Sequence, residues 1–119
     1  MSALTRVLGA ATAAYGIATA VRPQVLAKPC GLTTPSGDVT ASVRTLITAI
    51  GMRDTAIGAA MLFAPPGRAQ RVAVLTRVAS DAADALVFGL TLPDRRARGK
   101  AAGVAAGWAA LCALSALRG

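Results

Sequence analysis

Four apolar segments, each about as long as a membrane-spanning helix, follow one another along this chain. A bilayer core of about 30 Å needs about 20 residues of helix. Breaks fall at Arg22-Pro23, at Pro65-Pro66-Gly67 and at Pro93, where proline cannot continue a helix. The pattern predicts an all-α protein with a single domain over residues 1–119. Its four helices are expected at about residues 3–21, 42–64, 70–92 and 101–117.

These segments predict a four-helix transmembrane bundle with antiparallel up-down topology, located in a cell membrane such as the bacterial inner membrane. Charges interrupt the second and third segments, so a soluble alanine-rich bundle is the structural alternative. The first segment also has features of a secretory signal peptide, with Arg6 before the apolar run and Ala18-Thr19-Ala20 as a cleavage site. The three further apolar segments favour a spanning helix over a signal peptide.

A connector rich in proline and glycine, residues 22–41, separates the first two segments. About 20 residues without regular structure is long for a compact domain, so we expect the connector to fold back over one end of the bundle. Ser36, Asp38, Thr40 and Ser42 are candidate N-caps for the helix that follows.

Composition agrees with a membrane location. Hydrophobic residues make up 55% of the chain and charged residues 15%, against about 25% charged in soluble domains. The net charge of +8 would suit nucleic acid, but most of the basic residues lie between the apolar segments, as flanking charges of membrane helices do. Aromatic residues for base stacking amount to only 3%, and these features together argue against nucleic-acid binding.

The residue types available limit the chemistry. Two cysteines, Cys30 and Cys112, are too few for a disulfide framework or a zinc site, and the chain has no histidine. The commonest metal ligand and general base is therefore missing. We predict no metal and no cofactor of the protein's own, and any catalysis would use Asp, Arg, Tyr or Cys.

Glycine recurs on one face of three segments. Spacings of seven in the first two segments and of four in the last allow another backbone to approach closely. These residues are Gly9 and Gly16, Gly51 and Gly58, and Gly99, Gly103 and Gly107. Close packing within the chain is one interpretation, and a homodimer seam along the fourth segment is the other.

Charged residues in the middle of two segments are the candidate site. Arg53 and Asp54 lie at the centre of the second segment, and Arg77, Asp81 and Asp84 share one helical face in the third. At about 1.5 Å of rise per residue, Arg53, Asp54, Arg77 and Asp81 lie roughly 16–23 Å from the Pro-Pro-Gly turn, so a helical hairpin would place the two groups side by side. Asp84 lies about a turn deeper.

Placing these charges inside a membrane costs free energy, and this cost predicts that they pair with one another. Each charge at mid-membrane costs at least about 2.5–3.5 kcal/mol, so the five should face the bundle interior and pair. Two arginines against three aspartates leave one aspartate over, and we expect that acid to be protonated and able to donate or accept a proton. A purely structural network that fixes helix register is the alternative interpretation.

The stretch 51–58, Gly-Met-Arg-Asp-Thr-Ala-Ile-Gly, carries a resemblance to a known family. It resembles the G-x-R-D-x-x-x-G of the second helix in a family of small, functionally uncharacterised four-helix integral membrane proteins of actinobacteria and fungi. Asp81 and Asp84 match the aspartate-bearing third helix of that family, and the proline-containing connector also fits. The resemblance implies the fold and the membrane location and supplies no activity.

Three functions remain open on this basis. The first is an enzyme for a lipophilic small molecule, performing isomerisation, cyclisation or epoxide opening through an aspartate, with Arg53 or Arg77 stabilising charge and Tyr15 and Trp108 as pocket walls. The second is a non-enzymatic accessory subunit whose charges hold the helices together. The third is a small transporter. The expected partners are the lipid bilayer, a lipophilic molecule and a second copy of the chain.

Overall fold

Four long helices and one short helix form the protein in a computed structural model, which describes the backbone of residues 3–118 and the side chains of residues 3–117. No β-strand occurs in this described part, so the all-α prediction is confirmed. Met1, Ser2 and Gly119 of the predicted domain lie outside the described residues. The helices are α1 (Ala3–Val21), α2 (Gln24–Ala27), α3 (Ala41–Phe63), α4 (Arg68–Thr91) and α5 (Arg95–Arg118).

Local sequence sets the ends of α3 and the start of α4. Thr40 is the N-cap of α3, and its hydroxyl accepts a hydrogen bond from the backbone N–H of Val43 at 3.4 Å. α3 ends just ahead of Pro65, as predicted. Gly67 then takes a φ of +108°, which glycine adopts without steric cost, and α4 begins at the next residue.

The start of α5 differs from the prediction. We expected the fourth long helix to begin at about residue 101, but it already begins at Arg95. The Asp94 carboxylate accepts a hydrogen bond from the backbone N–H of Arg96 at 3.0 Å, and its carbonyl accepts one from the N–H of Arg98 at 2.9 Å. The prediction was wrong because a capping aspartate outweighs the polarity of the arginines, which are good helix formers.

Glycines bring the backbones of α1 and α3 into contact. A Cβ atom built on Gly9 would lie 2.8 Å from the carbonyl oxygen of Gly58, and one built on Gly16 would lie 2.6 Å from that of Gly51. Real Cβ atoms do not approach backbone so closely, so the predicted packing within the chain is confirmed for these four glycines. Their pairing also shows that α1 and α3 run in opposite directions.

The glycine stripe of α5 behaves differently. A Cβ atom built on Gly99, Gly103 or Gly107 would have no described atom within 4 Å, apart from the neighbouring backbone of α5 itself. The interpretation as packing within the chain is therefore wrong for this helix, which instead packs against α4 through other positions such as Ala102 opposite Gly89. The homodimer seam stays a prediction.

The connector covers one end of the bundle, as predicted. Ala27 and Val39 pack against Ile47 of α3, and Cys30 packs against Leu92 and Ala97 at the α4–α5 turn. This end of the molecule therefore contains the end of α1, the start of α3 and the α4–α5 turn.

The opposite end is held by polar side chains. Arg6 donates hydrogen bonds to the carbonyl oxygens of Leu62 and Ala64 at the end of α3. The Gln70 amide donates to the carbonyl oxygen of Met61 at 3.2 Å, which ties the start of α4 to the end of α3. These bonds satisfy the last carbonyl groups of α3, which have no partner inside the helix.

Three helices are long and apolar enough to cross a membrane: Ala3–Val21, Ala41–Phe63 and the stretch Arg95–Leu117 of α5. α4 is long enough, at 24 residues, but is not among them. Every stretch of 18 residues within α4 contains Arg77, Asp81 and Asp84. Whether α4 belongs in the membrane therefore depends on how these charges are buried.

Candidate functional site

Arg53 of α3 and Asp84 of α4 form a bidentate salt bridge between the two helices. The Arg53 Nη2 atom lies 2.7 Å from Asp84 Oδ2, and Nη1 lies 3.1 Å from Oδ1. The planar guanidinium matches the carboxylate in this geometry, which is stronger than a single contact. Asp84 was expected a turn deeper than the other charges, and the length of the arginine side chain bridges that offset.

Asp54 connects the two arginines. Its Oδ1 atom accepts hydrogen bonds from Arg53 Nε and Nη2, at 3.1 and 2.9 Å, and from Arg77 Nη1 at 3.0 Å. Arg77 Nη2 also donates to Asp81 Oδ1, one turn along α4. The five charges therefore alternate in sign in the order Asp84, Arg53, Asp54, Arg77, Asp81, and we call them the ion-pair cluster.

The ion-pair cluster runs from a buried end to a partly exposed end. The side chains of Arg77, Asp81 and Asp54 are 4%, 5% and 10% exposed, while those of Arg53 and Asp84 are 35% and 18% exposed. The structure thus brings together all five charged residues that the sequence singled out. Removing water from charges is costly, and here each arginine bonds two carboxylates in return.

Two buried atoms of the ion-pair cluster have no hydrogen-bond partner among the described residues: Arg77 Nε and Asp81 Oδ2. Asp81 therefore accepts through one oxygen only, whereas Asp84 accepts through both. Asp81 is the carboxylate with the least compensation for its burial.

An apolar groove of about 530 Å³ lies beside the ion-pair cluster, on the side of the connector. We call it the connector groove. Of the described residues that line it, Arg53 alone carries a charge. The lining residues are Leu26, Cys30, Leu32, Val43, Leu46, Ile47, Ala49, Ile50, Arg53, Val87 and Phe88.

A second groove, of about 300 Å³, lies between α3 and α4 on the other side of the ion-pair cluster. We call it the turn groove, and it is lined by Ala56, Ile57, Ala60, Ala69, Val72, Ala73 and Thr76. α3 and α4 thus pack loosely along their length, whereas α1 packs closely on α3 and α4 on α5. The sequence analysis did not predict either groove. Its only signal was the set of short alanine side chains that line the turn groove.

Tyr15 and Trp108 are not among the residues that line either groove. Tyr15 is 46% exposed on α1. Trp108 of α5 donates a hydrogen bond from Nε1 to the Thr12 hydroxyl at 2.9 Å and so links α5 to α1. The role of pocket walls that we predicted for these two residues stays a prediction.

Cys30 is the sulfur-containing group of the connector groove. It is 2% exposed, and burial raises the pKa of its thiol above the ordinary value. A thiol in that environment stays neutral and behaves as a small apolar side chain. Within the described residues, no group of three or more His, Cys, Asp or Glu side chains is arranged to hold a metal ion.

The site therefore consists of a buried network of alternating charges with an apolar groove on each side. The resemblance to four-helix membrane proteins rests on the short motif at residues 51–58. Comparison with family models, with curated proteins and with solved structures gives no match to this chain.

Proposed function

We propose that this chain is an integral membrane protein whose four long helices all span a cell membrane, in antiparallel order. Three of them have the length and composition of spanning helices. α4 joins them because Arg77 and Asp81 are buried against α3 rather than exposed to lipid. Its 24 residues reach about 36 Å, enough to cross a bilayer core.

The proposed function is to hold a lipophilic small molecule in the connector groove. The observation that carries this proposal is the groove itself, since its volume of about 530 Å³ falls within the range of about 300–1,000 Å³ that small-molecule sites occupy. Ten of its eleven lining residues are uncharged, which suits a hydrocarbon molecule that enters from the bilayer.

The ion-pair cluster has a positioning role in this proposal. It lies between the two grooves and joins α3 to α4 at the place where their other contacts are sparse. A structural network would hold the helices in register and keep the connector groove open. Its arginines would not need to change partners when a molecule binds.

Filling the connector groove should abolish binding. In Ile50→Trp, the larger side chain occupies the groove, and we expect retention of a co-purified lipophile to fall by at least about tenfold, since a clash of about 1.4 kcal/mol suffices for that factor. The measurement is mass spectrometry of organic extracts from the protein purified in mild detergent. Leu75→Trp is the matched control, because Leu75 is 57% exposed on α4 and lines neither groove.

Equal retention by the Ile50 and Leu75 variants would refute the proposal. The absence of any retained lipophile in the unaltered protein, purified directly from membranes, would refute it as well.

A second candidate is acid–base catalysis on the bound molecule, favoured by the buried Asp81 Oδ2 that has no described hydrogen-bond partner. Asp81→Asn keeps the shape of the side chain and removes the acid. We expect it to fold in detergent and to lower turnover by about 10²–10⁴-fold, the usual contribution of a general acid or base.

The measurement for this second candidate is a metabolite comparison of cells that contain the Asp81→Asn protein or the exposed-site control Asp38→Asn. If both variants fold and leave every metabolite at the level of the unaltered protein, acid–base catalysis is excluded and the binding role is retained.

A further inference from the structure

We infer that the connector groove selects an electrically neutral lipophile with one carbonyl oxygen as hydrogen-bond acceptor, such as a ketone, and rejects anionic amphiphiles such as ionised lipid headgroups. This inference rests on the proposed function, because it names the class of molecule that the same groove takes.

The charge of the groove wall argues against an anion. An arginine at the end of an apolar groove normally suggests a carboxylate or phosphate ligand. Here Arg53 already lies against two carboxylates, those of Asp54 and Asp84. The charge of Arg53 is therefore already compensated, and an anion in the groove would lose its water without gaining an unpaired cation in return.

The same wall argues against a cation. The three aspartates are absent from the described residues that line the groove, whereas Arg53 is among them. A lipophilic amine in the groove would therefore find no carboxylate in the lining to pair with, and its charge would be buried without compensation. A neutral molecule is the remaining class, and the apolar lining suits it.

The hydrogen bonds of Arg53 define the polar part of the molecule. A guanidinium has five N–H groups. Four are used, since Nε donates to Asp54, Nη1 to Asp84 and Nη2 to both. One N–H of Nη1 is left over on a side chain that is 35% exposed, and it can serve one acceptor oxygen.

The position of Arg53 places that oxygen deep in the bilayer. Arg53 follows the start of α3 at Ala41 by twelve positions, about 18 Å along the helix axis. From there the groove continues along Ile50, Ile47 and Val43 to the connector residues Leu26 and Leu32. The hydrocarbon part of the molecule therefore lies between mid-membrane and the connector.

The test uses photoreactive probes of equal chain length that differ only in one end group: a methyl ketone, a sulfonate, a primary amine and a plain hydrocarbon. A sulfonate is ionised at every working pH, so its labelling always reports on the anionic form. The protein is kept whole in nanodiscs of zwitterionic lipid, and labelled peptides are mapped by mass spectrometry. Ile50→Trp is the variant with a blocked groove.

We expect the ketone to label the residues of the connector groove at least about tenfold more than the sulfonate or the amine, and more than the hydrocarbon. Ile50→Trp should remove this labelling. Bound ketone should also show a carbonyl infrared band at lower frequency than in plain nanodiscs, because a charged donor weakens the carbonyl bond.

Each other result overturns a specific statement. If no probe labels the groove, the proposed function itself fails. If the sulfonate or the amine labels the groove as strongly as the ketone, the groove binds lipophiles but the selection for a neutral molecule is wrong. If the hydrocarbon labels as strongly as the ketone, or the carbonyl band does not move, the hydrogen bond to Arg53 is wrong.

Discussion

Replacing Arg77 by methionine lowers the free energy of unfolding by about 3–5 kcal/mol, the usual loss when one partner of a buried ion pair is removed. Arg77 is 3% exposed and binds both Asp54 and Asp81. Methionine keeps an unbranched apolar stem like that of arginine but has no charge, so the two carboxylates would lie buried without a cation between them. Equilibrium unfolding in mixed detergent micelles, followed by circular dichroism, measures the change.

Arg71→Met is the matched control for this prediction. Arg71 is an exposed cation on the same helix, so the same substitution should change the free energy of unfolding by no more than about 0.5 kcal/mol. Equal losses in the two variants would mean that the ion-pair cluster contributes no more than any surface charge. The positioning role proposed for it would then be withdrawn.

The sequence predicted the meeting of the five charges because their distance from a short turn can be counted along a helix. It also predicted the pair Arg77–Asp81, since residues four apart share a helix face. It did not predict that Asp54 would bind both arginines. That arrangement depends on side-chain conformations and on the separation of α3 from α4, which are properties of the packed structure.

The sequence did not predict the grooves either, because they too depend on the separation of α3 from α4. Ala56 and Ala60 on α3 and Ala69 and Ala73 on α4 are as compatible with close helix contact as with a gap. Which of the two occurs depends on the long arginine side chains that keep these helices apart nearby. The predicted start of α5 was also wrong, by about one and a half helical turns. A single capping residue, Asp94, stabilises the first turn as helix rather than loop.

Gly51→Ala lowers the free energy of unfolding by about 1–3 kcal/mol, the usual range for overpacking a tight contact. A Cβ atom at this position would lie 2.7 Å from the backbone nitrogen of Ala20 and 2.7 Å from the carbonyl oxygen of Gly16. Both are backbone atoms, so a rotamer change cannot relieve the clash and α1 must move away from α3. The same unfolding assay in micelles measures the loss.

Gly103→Ala is the matched control, with the opposite expected sign. A Cβ built there meets no described atom within 4 Å, so the substitution removes only the poor helix propensity of glycine and should stabilise the protein by about 0.5–1 kcal/mol. Both sites are glycines on apolar helices, and the difference between them isolates backbone contact from propensity. If the two variants shift stability in the same direction, close approach of α1 and α3 does not hold this half of the bundle together. The contacts of α1 with α5, Thr5 with Ser115 and Trp108 with Thr12, would then have to supply that stability.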